Sequence, residues 1–269
     1  MSVIRYGTQT NVLVGTKGHP FERDAFFAVF EALPDVSYTQ VEQPALQAFF
    51  DPTLAAPYDA FVLYDMPGIE FRPGGTPVFH EPSPELVAGF DALLEAGQGI
   101  VFLHHAVAGW PTWDAYSDAV GCRFLYQPAT LRGRELPDSG YRHAVTHRVD
   151  AVAPGHPVLE GLQDGFEIED ELYLLEVFED EVTPLLRSRH RFVDENFYSS
   201  AQALEGRMFS NEGWSHPRGS DLIAWAKRSG NSRTVTILCG DSPGAYQNPG
   251  FRRLLANAIG WVSQPPDTE

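Results

Sequence analysis

The sequence predicts an α/β fold, a three-layer sandwich in which helices cover both faces of a mostly parallel sheet of the flavodoxin type. Two observations support this. Short apolar runs alternate along the chain with segments whose apolar residues recur at helical spacing. The middle of the chain, from about 124 to 221, is less periodic and richer in polar and aromatic residues, which predicts antiparallel additions to the sheet.

The first half of the chain supplies two predicted strand and helix pairs. A strand over 11–15 is followed by apolar positions at helical spacing from Phe26 to Leu33. A second strand over 58–65 precedes a helix that opens at Ser83-Pro84 and stops at Gly97. Strands that alternate with helices in this way favour parallel pairing.

The alternation continues through a third pair and resumes near the end of the chain. The third strand covers 99–103, and a helical pattern runs from Trp113 to Val120. A strand over 234–240 then precedes a final helix with Pro249 just inside its start and one apolar stripe along its length. Between these pairs, 182–187 and 207–209 resemble strands.

Length, charge and cysteine content restrict the class of protein. The 269 residues predict one domain over 1–263 with a disordered tail over 264–269. Two cysteines give no disulfide framework, which favours a reducing compartment. A formal charge of -17 argues against nucleic acid and membrane surfaces as partners. Without an apolar run that could span a bilayer or a signal-peptide pattern, we expect a cytoplasmic protein.

Polar side chains follow the predicted strands where they end. His19 follows the first strand, Asp65 the second, His104 and His105 the third, and Asp241 the strand near the C-terminus. The carboxyl ends of parallel strands share one edge of a sheet, where open α/β folds bind ligands. This convergence predicts a functional site, and the paired histidines make the turn at His104 its most informative feature.

Each of these residues also has a structural interpretation. His104 could be a strand-end histidine bound to a backbone carbonyl, and His105 could pack beneath the turn. His19 precedes Pro20, which predicts a ring near a helix N-terminus, either as a neutral base or metal ligand or as a simple cap. Asp65 and Asp241 could cap the loops that follow them.

The segment 166–174 alternates as a strand would. Asp170 then shares one face with apolar residues, while Glu171 lies on the other face. A carboxylate on an apolar face must be paired, hydrogen-bonded or shifted in pKa, which makes Asp170 a candidate acid, base or ligand. The alternative is an acidic, solvated helix or loop.

Histidines elsewhere give weaker signals. His143 and His147 would share a metal ion only on a helix, and the alternation around them favours a strand, where they lie too far apart. His156 precedes a proline in a turn, and Trp214 and His216 lie in a loop suited to a sugar face. No GxGxxG, P-loop or G-x-S-x-G pattern occurs, so we expect no nucleotide cofactor and no serine-hydrolase site.

Several motifs in a fixed order resemble the ThuA-like (trehalose utilisation) family, a branch of the class I glutamine amidotransferase-like fold. They cover nearly the whole chain: Gly18-His19-Pro20, 99–106 with its paired histidines, Gly140-Tyr-Arg-His143, 156–162, Asp170-Glu171-Leu-Tyr173, and 248–261. In that family a histidine stands where amidotransferases place the nucleophilic cysteine, and His104 matches that position. The resemblance therefore implies a lost glutaminase activity. The chain departs from the commoner family pattern at Tyr126-Gln127-Pro128 and at Gly240-Asp241.

The resemblance implies a role in sugar catabolism, with a small-molecule carbohydrate as the partner. Our hypothesis is an enzyme that catalyses isomerisation, epimerisation or elimination of a sugar or keto-sugar by proton transfer. Whether a divalent metal ion such as zinc assists the reaction is left open by the sequence. The alternative is a non-catalytic sugar-binding or regulatory module on the same scaffold. The sequence leaves open whether the chain is catalytic and whether it forms a homo-oligomer. The proposed catalytic residues are His104, Asp170 and Glu171; the substrate-binding candidates are His19, Asp65, His105, His143, His156, Trp214, His216 and Asp241; the metal candidates are His19, His104 and His143.

Overall fold

One large sheet runs through the centre of the computed structural model, which describes residues 9–72 and 77–265. The strands of the described residues are β1 (Thr10–Thr16), β2 (Val36–Glu42), β3 (Ala60–Leu63), β4 (Ile69–Glu70), β5 (Val78–Phe79), β6 (Gly99–Leu103), β7 (Cys122–Arg123), β8 (Ala129–Leu131), β9 (Arg134–Leu136), β10 (Gly140–Ala151), β11 (Phe166–Leu174), β12 (Glu176–Val177), β13 (Thr183–Ser188), β14 (Tyr198–Ser199), β15 (Leu222–Ser229) and β16 (Ser232–Ile237).

Helices connect and cover these strands. The α-helices of the same residues are α1 (Arg23–Glu31), α2 (Pro52–Ala55), α3 (Pro84–Ala96), α4 (Asp114–Val120), α5 (Ser200–Leu204), α6 (Pro243–Gln247) and α7 (Pro249–Val262). Short 3₁₀ helices cover Ala45–Phe49, His104–Ala108, Pro157–Leu159 and Asp194–Asn196.

The large sheet has a parallel part and an antiparallel part. Its strand order is β11-β10-β13-β15-β16-β6-β3-β1-β2, with β14 paired to β10 beside this path. The strands β2, β1, β3, β6 and β16 pair in parallel, and β15, β13, β10 and β11 continue the sheet with antiparallel pairing. The predicted α/β fold with antiparallel additions from the middle region is confirmed.

Apolar side chains pack on both faces of the sheet, which gives the three layers. In β1, Val12 and Val14 join the core beneath α1 and α7, whereas Leu13 joins the core beneath α3 and α4. This alternation follows from the two-residue period of a strand. A strand buried on both faces needs a continuous apolar run, and this explains the sequence of residues 12–14.

The predicted helix boundaries of α3 and α7 are confirmed by their caps. Ser83 Oγ accepts the backbone N–H of Leu86, and Gly97 adopts the left-handed conformation that ends α3. At α7, Asn248 Oδ1 accepts the backbone N–H groups of Gly250 and Phe251. Both helices therefore begin where a side chain replaces a missing intrahelical acceptor.

Some predictions of local structure are wrong. Helix α1 begins at Arg23, so His19 and Pro20 precede it in a loop and His19 does not cap it. Residues 207–209 form no strand; 208 and 209 lie in a turn, where Phe209 adopts a positive φ of 58° and is exposed. The end of the predicted tail, 266–269, lies outside the described residues. In the part of the chain that the structure describes, no helix combines the length and apolarity needed to cross a membrane.

A glycine in α3 gives a test of this packing. The Cβ of Gly89→Ala would lie 1.8 Å from the carbonyl oxygen of Phe50, so we expect the variant to lower the free energy of unfolding by about 1–3 kcal/mol. An alanine at Gly260 in α7 would have no described atom within 4 Å of its Cβ apart from its chain neighbours and the nearby backbone of its own helix, and its better helix propensity should raise stability by up to about 1 kcal/mol. Urea denaturation of both variants checks this, and a stabilised Gly89→Ala protein would contradict the packing.

Candidate functional site

Histidine and carboxylate side chains meet at the carboxyl edge of the parallel strands. We call them the histidine–carboxylate cluster, and its members are His19, His104, His105, His143, Glu171 and Asp241. Most members of the cluster come together because parallel strands end at the same edge of the sheet, as the sequence predicted. His19 follows β1, His104 and His105 follow β6, and Asp241 follows β16, all of which run in the same direction.

His104 lies fully buried at the turn between β6 and the 3₁₀ helix. Its backbone adopts a positive φ of 41°, which is uncommon outside glycine and indicates a turn held by its surroundings. Nδ1 lies 2.6 Å from the carbonyl oxygen of Leu238, and because a carbonyl only accepts, Nδ1 carries a proton. Nε2 lies 3.2 Å from Glu171 Oε2 and 2.8 Å from the Tyr173 hydroxyl.

These contacts make His104 a buried cation at neutral pH. Burial lowers the pKa of the imidazole, but the neighbouring carboxylates of Glu171 and Asp241 outweigh it and raise the pKa to about 9. His104 is not among the residues that line the cavity described below, so the side chain that the sequence singled out faces inward. The His104 ring contacts the carboxylate of Glu171 through Nε2, on the side away from the cavity.

Glu171 lies between two histidines. Its Oε2 contacts His104, and its Oε1 lies 2.9 Å from Nδ1 of His143. Burial raises the pKa of Glu171, but the two histidines outweigh burial and hold this pKa well below its usual range. The same contact raises the pKa of His143, whose side chain is about half exposed. Glu171 is therefore an ionised carboxylate at the end of a His104–Glu171–His143 chain.

A bulge in β10 brings His143 to Glu171. The register of β10 against β11 shifts between Arg142 and Val145, so His143 and Ala144 have no partner of their own in the ladder. Ala144 adopts a positive φ of 51° there. Bulges of this kind redirect a side chain, and this one departs from the regular alternation that the sequence predicted for the strand.

Asp170 lies on the opposite face of β11 from Glu171, as the alternation predicted. Its carboxylate is buried and accepts the backbone N–H groups of Gly240 at 2.5 Å and Asp241 at 3.1 Å. Burial raises the pKa of Asp170 to about 6, although His104 and both backbone donors oppose the rise. Asp170 thus fixes the loop that carries Asp241, and it is not among the residues that line the cavity described below.

His19, His105 and Asp241 form the second half of the cluster. The rings of His19 and His105 lie with their centroids 4.2 Å apart, and His105 also packs against Tyr64. Asp241 Oδ1 lies 3.2 Å from His105 Nε2, a close contact that does not have hydrogen-bond geometry. Burial dominates and lowers the pKa of His105 to about 3, so this imidazole is neutral.

A cavity of about 410 Å³ opens in front of the cluster. This volume is within the range of small-ligand sites. Four cluster members contribute to its wall, and aromatic and aliphatic side chains supply most of the rest. The lining residues are His19, Pro20, Met66, Phe71, His105, Ala108, Phe124, Tyr126, Tyr141, His143, Glu171, Tyr173, Ser200, Ala203, Leu204 and Met208.

The remaining histidine and tryptophan candidates lie apart from this cavity. His156 caps the 3₁₀ helix Pro157–Leu159, and its ring packs on Trp261. Trp214 Nε1 donates to Asp138, and the ring of His216 packs on Trp214. These contacts satisfy the side chains structurally and bring none of them to the cluster.

Asp65 also lies outside the cavity wall. It is 2 % exposed, and Oδ2 accepts a hydrogen bond from Gln43 Nε2 at 2.7 Å, while Oδ1 has no hydrogen-bond partner among the described residues. Burial raises its pKa to about 6. Asp65 is thus a buried carboxyl rather than the cap that the sequence allowed.

Sequence reasoning did not single out Tyr173 and Tyr141 as site residues. Tyr173 hydrogen-bonds to His104, and both tyrosines line the cavity. The signal for Tyr173 was available, because it stands two residues after Glu171 and a strand places such residues on the same face.

The fold and site define an α/β protein with a ligand-sized cavity over the parallel strand ends and a histidine at the turn after β6. The sequence model of the ThuA family, described as trehalose utilisation, matches residues 11–262. The chain belongs to this family, which associates it with sugar metabolism. No curated protein matches the chain.

Solved structures with the same fold extend over almost the whole chain. A ThuA-like protein from Parabacteroides merdae matches with a TM-score of 0.66 and 16% identity, covering 95% of this chain and 90% of its own. One from Bacteroides uniformis matches with a TM-score of 0.60 and 15% identity, covering 97% and 95%. A cytoplasmic protein from Salmonella typhimurium has a TM-score of 0.56 and 12% identity, covering 94% and 98%.

The buried carboxyl of Asp65 gives a prediction about pH. In the folded chain Asp65 keeps its carboxyl proton up to about pH 6, whereas in the unfolded chain it loses this proton near pH 3.8. Between these two pH values, Asp65 therefore lowers the wild-type free energy of unfolding as the pH rises. Asp65→Asn does not titrate. The stability of the variant relative to wild type should therefore rise with pH, by up to about 3 kcal/mol.

Urea denaturation of both proteins across the range from about pH 4 to pH 7 measures this difference. A difference that stays constant over the range would contradict a raised pKa at Asp65.

Proposed function

We propose that this chain is a carbohydrate-processing enzyme of sugar catabolism that moves a proton on a sugar or keto-sugar by isomerisation, epimerisation or elimination. The observation that carries the proposal is the 2.9 Å contact between Glu171 and His143 at the wall of the cavity. Membership of the ThuA family supports the substrate class.

The contact prepares His143 for proton transfer. Glu171 Oε1 lies 2.9 Å from His143 Nδ1, so the carboxylate favours a proton on Nδ1 and leaves Nε2 of the neutral ring as the nitrogen with the lone pair. A carboxylate behind an imidazole fixes its tautomer and stabilises the imidazolium that forms when the ring takes a proton. His143 is then the acid or base, Glu171 orients it, and His104 holds Glu171. This assigns to His104 a positioning role in place of the catalytic role expected from its sequence position.

The rest of the cavity suits a hydroxylated ligand. Tyr141 accepts the backbone N–H of Phe209 through its hydroxyl oxygen, so its own proton remains available for a ligand oxygen. Proton abstraction beside a carbonyl needs a donor of this kind for the enediolate oxygen. The aromatic walls present flat apolar surfaces to the C–H faces of a sugar ring. We propose a cytoplasmic location, in keeping with the Salmonella typhimurium relative.

A second candidate is a non-catalytic sugar-binding or regulatory module. One observation favours it: the residue at the turn after β6 is fully buried and offers no nucleophile to the cavity. The two candidates differ in one measurable property, which is whether a bound sugar exchanges a carbon-bound hydrogen with solvent.

Deuterium exchange followed by NMR tests the proposal. Incubation in D₂O with maltose, D-fructose and ring-oxidised keto-sugars should place deuterium next to a carbonyl in at least one of them. His143→Gln and Glu171→Gln should slow the exchange by about 10²–10⁴-fold, the usual contribution of an acid–base group. His156→Ala is the matched control, because His156 lies apart from the cavity, and its rate should equal that of wild type.

Binding of a sugar by calorimetry without exchange would favour the module. Exchange that persists at the wild-type rate in His143→Gln would contradict the assignment of His143.

A further inference from the structure

We propose that His19, His105 and Asp241 form a binding site for a divalent first-row transition-metal ion in the wall of the cavity. The proposal differs from the sequence hypothesis, which grouped His19 with His104 and His143. It does not depend on the proposed function, because an ion can bind here whether or not the chain acts on a sugar.

The three side chains have the separations that such an ion requires. One ligand atom from each lies within 4.8 Å of the other two. His105 Nε2 and Asp241 Oδ1 are 3.2 Å apart, close to the separation of roughly 3.4 Å between two ligands of a tetrahedral zinc ion. A small inward movement of these side chains therefore completes three corners of a coordination sphere.

His105 supplies an independent observation. Its side chain is almost completely buried, yet neither ring nitrogen has a hydrogen-bond partner within residues 9–72 and 77–265. Buried polar atoms in proteins nearly always have a partner, so a pair of unpartnered ring nitrogens needs an explanation. A metal ion bound to Nε2 supplies a partner to a nitrogen that already faces the carboxylate of Asp241.

His19 presents the correct nitrogen for a metal ligand. Its Nδ1 lies 2.9 Å from the carbonyl oxygen of Pro20, and because that oxygen only accepts, Nδ1 carries the proton. The lone pair of the ring is then on Nε2. Histidine ligands are commonly oriented in this way, by donating the other ring N–H to a carbonyl or carboxylate.

The backbone holds His19 and Asp241 in place. Lys17 and Gly18 adopt positive φ angles of 96° and 107°, and this turn packs Gly18 directly against the backbone of Met66. On the other side, Asp170 accepts the backbone N–H groups of Gly240 and Asp241. This gives the buried Asp170 a role as the residue that positions a metal ligand.

The ligand set indicates the class of ion. Two imidazoles and one carboxylate are typical of catalytic zinc and of non-haem iron(II), and both kinds of site keep further coordination positions for water or substrate. His19 is exposed and lines the cavity, so the free positions would face it. A bound ion would polarise a hydroxyl or carbonyl oxygen of a ligand in the cavity.

A neighbouring group of His104, Glu171 and Asp241 has similar spacing, but its atoms are already engaged. His104 Nδ1 binds the Leu238 carbonyl, and Nε2 contacts Glu171 and Tyr173. Metal binding there would break these bonds, whereas an ion on His105 would break no hydrogen bond between its ring nitrogens and the described residues.

Calorimetric titration with zinc chloride tests the proposal. The full chain, stripped with a chelator and dialysed, should bind one Zn²⁺ tightly, with a heat-denaturation midpoint that rises on binding. His19→Ala and Asp241→Asn should weaken this site by at least about 100-fold, since loss of a direct ligand should cost no less than loss of an outer-shell partner. His19 is exposed, so its variant should fold as wild type does.

Two matched controls separate this site from its neighbours. His143→Ala removes another exposed histidine of the same cavity, and His156→Ala removes a histidine that packs on Trp261 apart from the cavity; both should bind Zn²⁺ as wild type does. No tight site in wild type, wild-type affinity in His19→Ala, or loss of binding in His143→Ala would each overturn the proposal. Because the readout is binding, these results are independent of whether any sugar exchanges deuterium.

Discussion

The buried ion pair between His104 and Glu171 is the interaction on which the site depends. A buried pair is tolerated only when its remaining donors and acceptors are satisfied, and removal of one partner leaves an isolated charge at a cost of about 3–5 kcal/mol. Here the Leu238 carbonyl accepts the Nδ1–H of His104, and His143 Nδ1 contacts the second carboxylate oxygen of Glu171. The pair therefore fixes the turn after β6, the carboxylate and the cavity histidine as one unit.

The topology of the sheet makes this pair possible. The parallel strands β6 and β16 end side by side, which places His104 beside Leu238 and the loop of Asp241. The antiparallel strand β11 brings a carboxylate to each side: Glu171 reaches His104, and Asp170 binds the loop after β16. Successive residues of one strand thus serve the cavity and the loop that borders it, because neighbouring side chains of a strand point to opposite faces.

Much of the fold and part of the site could be predicted from the sequence. Alternating apolar runs and well-formed caps at Ser83 and Asn248 identified the layers, and the strand ends identified His19, His104, His105 and Asp241 as neighbours. The direction of His104 could not be predicted, since a positive φ depends on bonds to Leu238 and Glu171, which are distant in sequence. The same holds for His143, because a bulge is set by the register of both strands. The loop histidine His156 carried no signal that distinguished packing on Trp261 from binding.

The most direct test of the account is the ionisation of Glu171, followed by the ¹³C shift of its carboxyl carbon in NMR, with the signal assigned by its loss in Glu171→Gln. The account predicts that two histidine partners keep this carboxylate ionised far below the ordinary value of 4.5, so that its shift stays constant as the pH falls through that value. A titration with its midpoint at or above 4.5 would mean that His104 and His143 do not hold it, and would contradict the central claim.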